Sequence, residues 1–106
     1  NSVTVEKNIK DFKTSFCTTE KNICINVFAE EAIPSTLKSI FFLKKVIATT
    51  QKSNHPNIGN KIIETKSYSM AYLDLTNQQL TFIEKEGNHV QEIVYELKDL
   101  TSKVYR

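Results

Sequence analysis

Two cysteines, Cys17 and Cys24, are separated by the six residues TTEKNI, and this spacing constrains the local fold more than any other feature of the chain. They are the only cysteines among its 106 residues. If the flanking residues pair as a hairpin, the two side chains face each other with their Cα atoms within the roughly 7 Å that a disulfide requires. In the chain-entropy account, a bond that closes so short a loop stabilises a fold by about 2 kcal/mol.

Other roles for the two cysteines fit the sequence less well. A zinc site needs four ligands, and the two histidines, His55 and His89, do not stand at a ligand-like spacing from the cysteines or from each other. We therefore predict no metal and no cofactor. Two readings remain open: a disulfide in a periplasmic or secreted protein, or two buried free thiols in a cytoplasmic one.

Length and composition favour a single soluble domain. A chain of 106 residues suits one globular domain over residues 1–106, and its 40% hydrophobic and 25% charged content is ordinary for a soluble protein. The longest apolar run, residues 40–43, is far shorter than the roughly 20 residues of a membrane-spanning helix, so we expect no membrane insertion. Arg106 is the only arginine, which speaks against nucleic-acid binding.

Two helices are predicted from apolar spacing. Residues 3–16 carry apolar side chains three and four residues apart. Residues 88–105 begin with Asn88 as N-cap and Gln91 three positions later, the pattern of a capping box. A stripe of apolar residues then recurs along this second helix, which we expect to be long and amphipathic: Val90, Ile93, Leu97, Leu100 and Val104.

Strand patterns occupy the middle of the chain. Residues 21–29 alternate, and residues 61–75 and 79–85 flank a turn and predict a hairpin with Tyr68, Met70 and Tyr72 on one strand face. Residues 34–51 predict a buried helix, although their β-branched and aromatic residues leave strands as a rival. The predicted class is α+β: an antiparallel sheet of about four strands packed by two or three helices, of which the C-terminal one is long.

Catalytic motifs are lacking in the sequence. His55 lies in a turn-forming stretch and His89 at the start of the predicted C-terminal helix, so both are expected to be solvated. The neighbouring carboxylates, such as Glu84 with Glu86 and Glu92 with Glu96, are expected on wet faces. We therefore predict no catalytic residues and no enzymatic activity, with a small hydrolase that uses His89 and a carboxylate as a remote alternative.

Binding to another protein is the leading functional hypothesis. Tyr68, Met70 and Tyr72 would form an interface centre if they face outward, and they would form part of the core if they face inward. Lys44 and Lys45 could contact an acidic partner. The favoured form is a small inhibitor or immunity-type protein outside the cytosol. The alternative is an assembly module from a larger intracellular protein, forming a homodimer through the 88–105 helix.

Overall fold

Seven strands in an antiparallel meander make up the fold. A computed structural model describes residues 7–36, 39–53 and 61–105. The strands lie in one sheet in the order of the chain, each paired with the next. Their bounds are β1 Ile9–Cys17, β2 Ile23–Pro34, β3 Ile40–Ser53, β4 Lys61–Asp74, β5 Gln79–Glu86, β6 His89–Glu96 and β7 Thr101–Tyr105.

The α+β prediction is wrong, because the described residues form an all-β sheet without a helix. Two parts of it are confirmed. The predicted strand at residues 21–29 falls largely within β2, and the hairpin that starts at residue 61 is β4 paired with β5. Within residues 34–51, Pro34 ends β2 and residues 40–51 belong to β3, so strands replace the predicted buried helix there.

One face of the sheet, here called the inner face, carries the core. Leu43, Ala71 and Phe82 are directly opposed on β3, β4 and β5, and each is completely buried. The side chains of β6 and of the turn that follows it complete the cluster with Ile93 and Leu100. One sheet therefore supplies the whole core of the described residues.

On β1 to β4, the alternation of side chains between the two faces shifts by one residue. The four shifts lie side by side across the sheet. Leu43 and Val46 are both buried although they are three residues apart, and so are Tyr68 and Ala71. The residue pairing between the strands keeps the same register before and after the shift, so the side chains of paired residues change face together. Asp11 on β1 and Lys45 on β3 take the left-handed backbone conformation there, with φ of 52° and 53°.

This shift explains the wrong helix at residues 3–16. Ile9 lies opposite the buried Ala32, and Phe12 lies opposite the buried Ala29, so both belong to the inner face although they are three residues apart. A strand with a phase shift therefore shows the apolar spacing of a helix. Residues 3–6 of the predicted helix, like His55, lie outside the described residues.

The predicted C-terminal helix is instead the hairpin of β6 and β7. Ile93 on β6 lies opposite Val104 on β7, and the apolar Leu97 and Leu100 stand at the two ends of the connecting turn. The N–H of Leu100 donates to the carbonyl of Glu96, which makes one helical turn within the connection. The 3-4-3-4 spacing therefore comes from two strands and a turn, and the proposed dimer through an 88–105 helix loses its structural basis.

Candidate functional site

Apolar side chains also gather on the outer face of the sheet, opposite the core. Phe42, Tyr72 and Val94 lie in one row across β3, β4 and β6, with Thr81 of β5 between the last two. Met70 and Ile83 are cross-strand neighbours in the adjacent row, two residues away along β4 and β5. We call Phe42, Met70, Tyr72, Ile83 and Val94 the outer patch.

The outer patch is well packed and still open to solvent at its centre. The rings of Phe42 and Tyr72 contact each other at a tilted angle, with 5.2 Å between their centroids. Ile83 and Val94 are nearly buried, whereas Tyr72 remains 41% exposed. The strands below hold the patch rigidly, and an aromatic ring with a hydroxyl is the kind of group that anchors protein interfaces.

Charged side chains border the patch on the side of β1. Lys44 lies beside Met70 and opposite Glu31, whose carboxylate accepts a hydrogen bond of 2.7 Å from the Lys10 ammonium. This hydrogen bond, with a second one from Asn8, lowers the pKa of Glu31, and it raises the pKa of Lys10. The border therefore keeps its charges at neutral pH and forms the polar rim that surrounds an interface centre.

Lys45, the second lysine of the predicted pair, lines the same depression as Lys44 and forms an ion pair of its own. Its ammonium lies 3.5 Å from the Glu30 carboxylate, and both side chains are well exposed. Lys44 therefore borders the outer patch directly, and Lys45 belongs to the exposed pair with Glu30.

Tyr68 does not join Met70 and Tyr72, so the expectation that all three share a face is wrong. The phase shift between Tyr68 and Met70 turns Tyr68 to the inner face, where its ring stacks on Phe82 at a centroid distance of 4.5 Å. Burial raises the pKa of Tyr68 to about 12, with smaller contributions from Tyr95, Glu84 and Glu64. Tyr68 is thus a core residue, while the other two lie on the outer face.

Cys17 and Cys24 form a disulfide, as the sequence suggested. They are directly opposed on β1 and β2, with 4.1 Å between their Cα atoms. The neighbouring pair exchanges a backbone hydrogen bond from the Thr18 N–H to the Ile23 carbonyl, so the cysteines occupy a non-hydrogen-bonded position, where opposed side chains are closest. The bond fastens the edge strand to the rest of the sheet and is compatible with an oxidising location.

His89 lies in strand β6 and not at the start of a helix. It lines a depression of about 260 Å³ at the end of the β5–β6 hairpin, together with Glu84, Glu86 and Gln91. His89 and Glu86 are exposed, and Glu84 is half-buried. Across the described ranges no group of three or more His, Cys, Asp or Glu side chains is placed to hold a metal ion.

The outer patch could be found only in part from the sequence. Met70 and Tyr72 stood out because they alternate within a strand pattern. Phe42 and Val94 were missed, because each joins the patch through cross-strand pairing with residues distant in sequence. The sequence signal that could have indicated Phe42 was the pair of aromatic residues, Phe41 and Phe42, shortly before Lys44 and Lys45.

No helix of the described residues has the length and apolar character needed to cross a membrane. Comparisons with protein-family models, with characterised proteins and with solved structures found no match to the chain.

Proposed function

We propose that this domain is a non-catalytic protein-binding domain that works outside the cytosol and contacts its partner through the outer patch. A small inhibitor or immunity-type protein is one form of this function. The observation that carries the proposal is the second apolar cluster, on the face of the sheet that does not bear the core. A cluster of this kind with a polar rim is typical of a surface that binds another protein.

The chemistry of the patch indicates the kind of surface that it would contact. Tyr72 offers an apolar ring with a hydroxyl, Met70 offers an adaptable thioether, and Phe42 supports both from β3. Lys44 at the border favours an acidic side chain on the partner. We therefore expect an apolar pocket or ridge with at least one carboxylate beside it.

The disulfide supports the location. A thiol count on the denatured protein from its native source should give no free thiols before reduction and two after it, with the mass of a single chain. Two free thiols before reduction would contradict the extracytoplasmic location. In that case the intracellular assembly module would become the better proposal.

The experiment on the binding surface uses two residues of similar exposure on the same outer face. Tyr72 is 41% exposed within the patch, and Ile47 is 43% exposed on β3 outside it. A photo-reactive amino acid at position 72 should cross-link one protein partner from the native extract, and the same amino acid at position 47 should not.

The identified partner is then titrated with purified variants. Tyr72→Ser should weaken its binding by at least about tenfold, because a central aromatic contact is worth about 2 kcal/mol or more. Ile47→Ser should leave the affinity unchanged. Equal cross-linking at both positions, or equal affinity of both variants, would contradict the proposal.

A further inference from the structure

Strand β4 has an open edge over its first nine residues. It pairs with β3 along its whole length, from Lys61 to Asp74, but with β5 only from Met70 to Asp74. Within the described part of the chain, no strand pairs with residues 61–69 on the side away from β3. At about 3.4 Å per residue, this open edge is about 30 Å long.

The direction of the backbone groups on this edge follows from the neighbouring strands. The N–H of Ser53 donates to the carbonyl of Asn22 on β2, at 2.8 Å. The direction of the backbone N–H and C=O groups alternates along a strand. The groups of Thr50 and Lys52 therefore point to β4, and those of their partners Glu64 and Ile62 point back to β3. The N–H and C=O groups of Ile63, Thr65 and Ser67 therefore point outward from the open edge.

The two outer edges of the sheet differ from this one in features that disfavour a further strand. Edge strand β1 carries Lys10 and Lys13 and takes a left-handed conformation at Asp11, all of which disfavour a further strand. Edge strand β7 is only five residues long. The edge at residues 61–69 also carries charges, but Glu64 and Lys66 have opposite signs and can pair with their counterparts on an identical edge.

We propose that this edge binds the same edge of a second copy of the chain, as an antiparallel pair with its two-fold axis at Thr65. In this register Glu64 of each copy lies opposite Lys66 of the other, and Ile62 lies opposite Tyr68. All four positions are non-hydrogen-bonded, where opposed side chains approach most closely. The two ion pairs and the cover over Ile62, which is 57% exposed in the single chain, stabilise the dimer.

The charges select this register from its neighbours. A shift by two residues in one direction places Glu64 opposite itself, and a shift in the other direction places Lys66 opposite itself. Both arrangements bring like charges together. A shift by one residue breaks the alternation of the backbone groups, so one register alone satisfies hydrogen bonds and charges together.

The inner face has room for side chains from the second copy. A cavity of about 180 Å³ on the inner face is lined by residues of β3, by Glu64, Lys66 and Tyr68 on β4, and by Ile93 and Val104 on the last two strands. The gap between β4 and the later strands is therefore lined by the side chains that the register uses. The proposed dimer is independent of the outer patch and of its partner.

Charge reversal tests the register. The association state is measured by sedimentation equilibrium from about 1 µM to 1 mM. The wild type should dimerise within this range, and Glu64→Lys or Lys66→Glu should each weaken dimerisation by about tenfold, since each places two like-charge pairs in the interface. The double variant Glu64→Lys/Lys66→Glu should restore it. A wild type that stays monomeric throughout, or a double variant as weak as the single ones, would overturn the proposal.

A cross-link tests the axis. Thr65→Cys should form a disulfide-linked dimer under mild oxidation, because two residues that face each other across the axis lie about 5.5 Å apart. Thr49→Cys is the matched control. Thr49 lies opposite Thr65 on β3, with a hydrogen bond between the two hydroxyls, and would lie about 14 Å from Thr49 of the second copy. Equal cross-linking of both variants, or none at Thr65→Cys in a protein that dimerises, would place the interface elsewhere.

Discussion

The two halves of β4 belong to one strand but have different surroundings. In residues 70–74, where β4 pairs with β5, the inner side chains are Ala71 and Leu73, which are 0% and 2% exposed. In residues 61–69 the inner side chains include Glu64 and Lys66, which are exposed. A charged group is costly to bury, and β5 pairs with residues 70–74 but not with residues 61–69, which carry these charges. Strand length alone therefore does not decide how far two neighbouring strands pair; the polarity of the inner face does.

The largest expected effect is a difference in the loss of stability between substitutions in the two halves of β4. Leu73→Ala should lower the free energy of unfolding by about 2–5 kcal/mol, since it opens a cavity in the core. Ile62→Ala, on the same inner face but 57% exposed, should lower it by less than about 0.5 kcal/mol. Urea unfolding at about 1 µM, a low concentration chosen to disfavour the proposed dimer, measures both. Similar losses would mean that the two halves are buried alike.

A smaller effect concerns Tyr68, which lies where the halves meet. Burial raises its pKa in the folded state from 10.0 to about 12, so the folded state holds the proton more tightly than the unfolded chain does. The resulting stability is present below about pH 10 and is lost as the pH rises towards about 12. Tyr68→Phe should reduce the alkaline loss of stability in urea unfolding at several pH values.

The control for this titration is Tyr72→Phe, because the Tyr72 ring lies on the outer face and is 41% exposed. It should show the same alkaline loss as the wild type. If Tyr68→Phe and Tyr72→Phe lose stability alike, Tyr68 is not enclosed by Phe82 and its neighbours as the structure has it.

The sequence predicted the local pairings better than the fold class. The alternation at residues 21–29 and the hairpin from residue 61 follow from neighbours along the chain, and the disulfide follows from a short spacing. The phase shift across β1 to β4 could not be predicted in this way, because four strands must shift together at one level. It produced a helical spacing at Ile9 and Phe12 without a helix.

The candidate site shows the same limit. Tyr68 was grouped with Met70 and Tyr72 by strict alternation, and the shift placed it on the opposite face. The signal that was present is the repeated pair of adjacent charges between apolar residues, at Glu30–Glu31 and at Lys44–Lys45. Such pairs at matching levels of neighbouring strands indicate a shared change of phase.

Backbone amide hydrogen exchange on residues 61–74 tests the difference between the two halves of β4 most directly. In a dilute sample, at about 1 µM, the amides of Ile63, Thr65 and Ser67 should exchange rapidly, while the amide of Tyr72, which pairs with Thr81 on β5, is protected. At about 1 mM the first three should become protected as the second copy pairs with them. Protection of these three amides at both concentrations would contradict the account, because it would mean that the edge is already covered within the single chain.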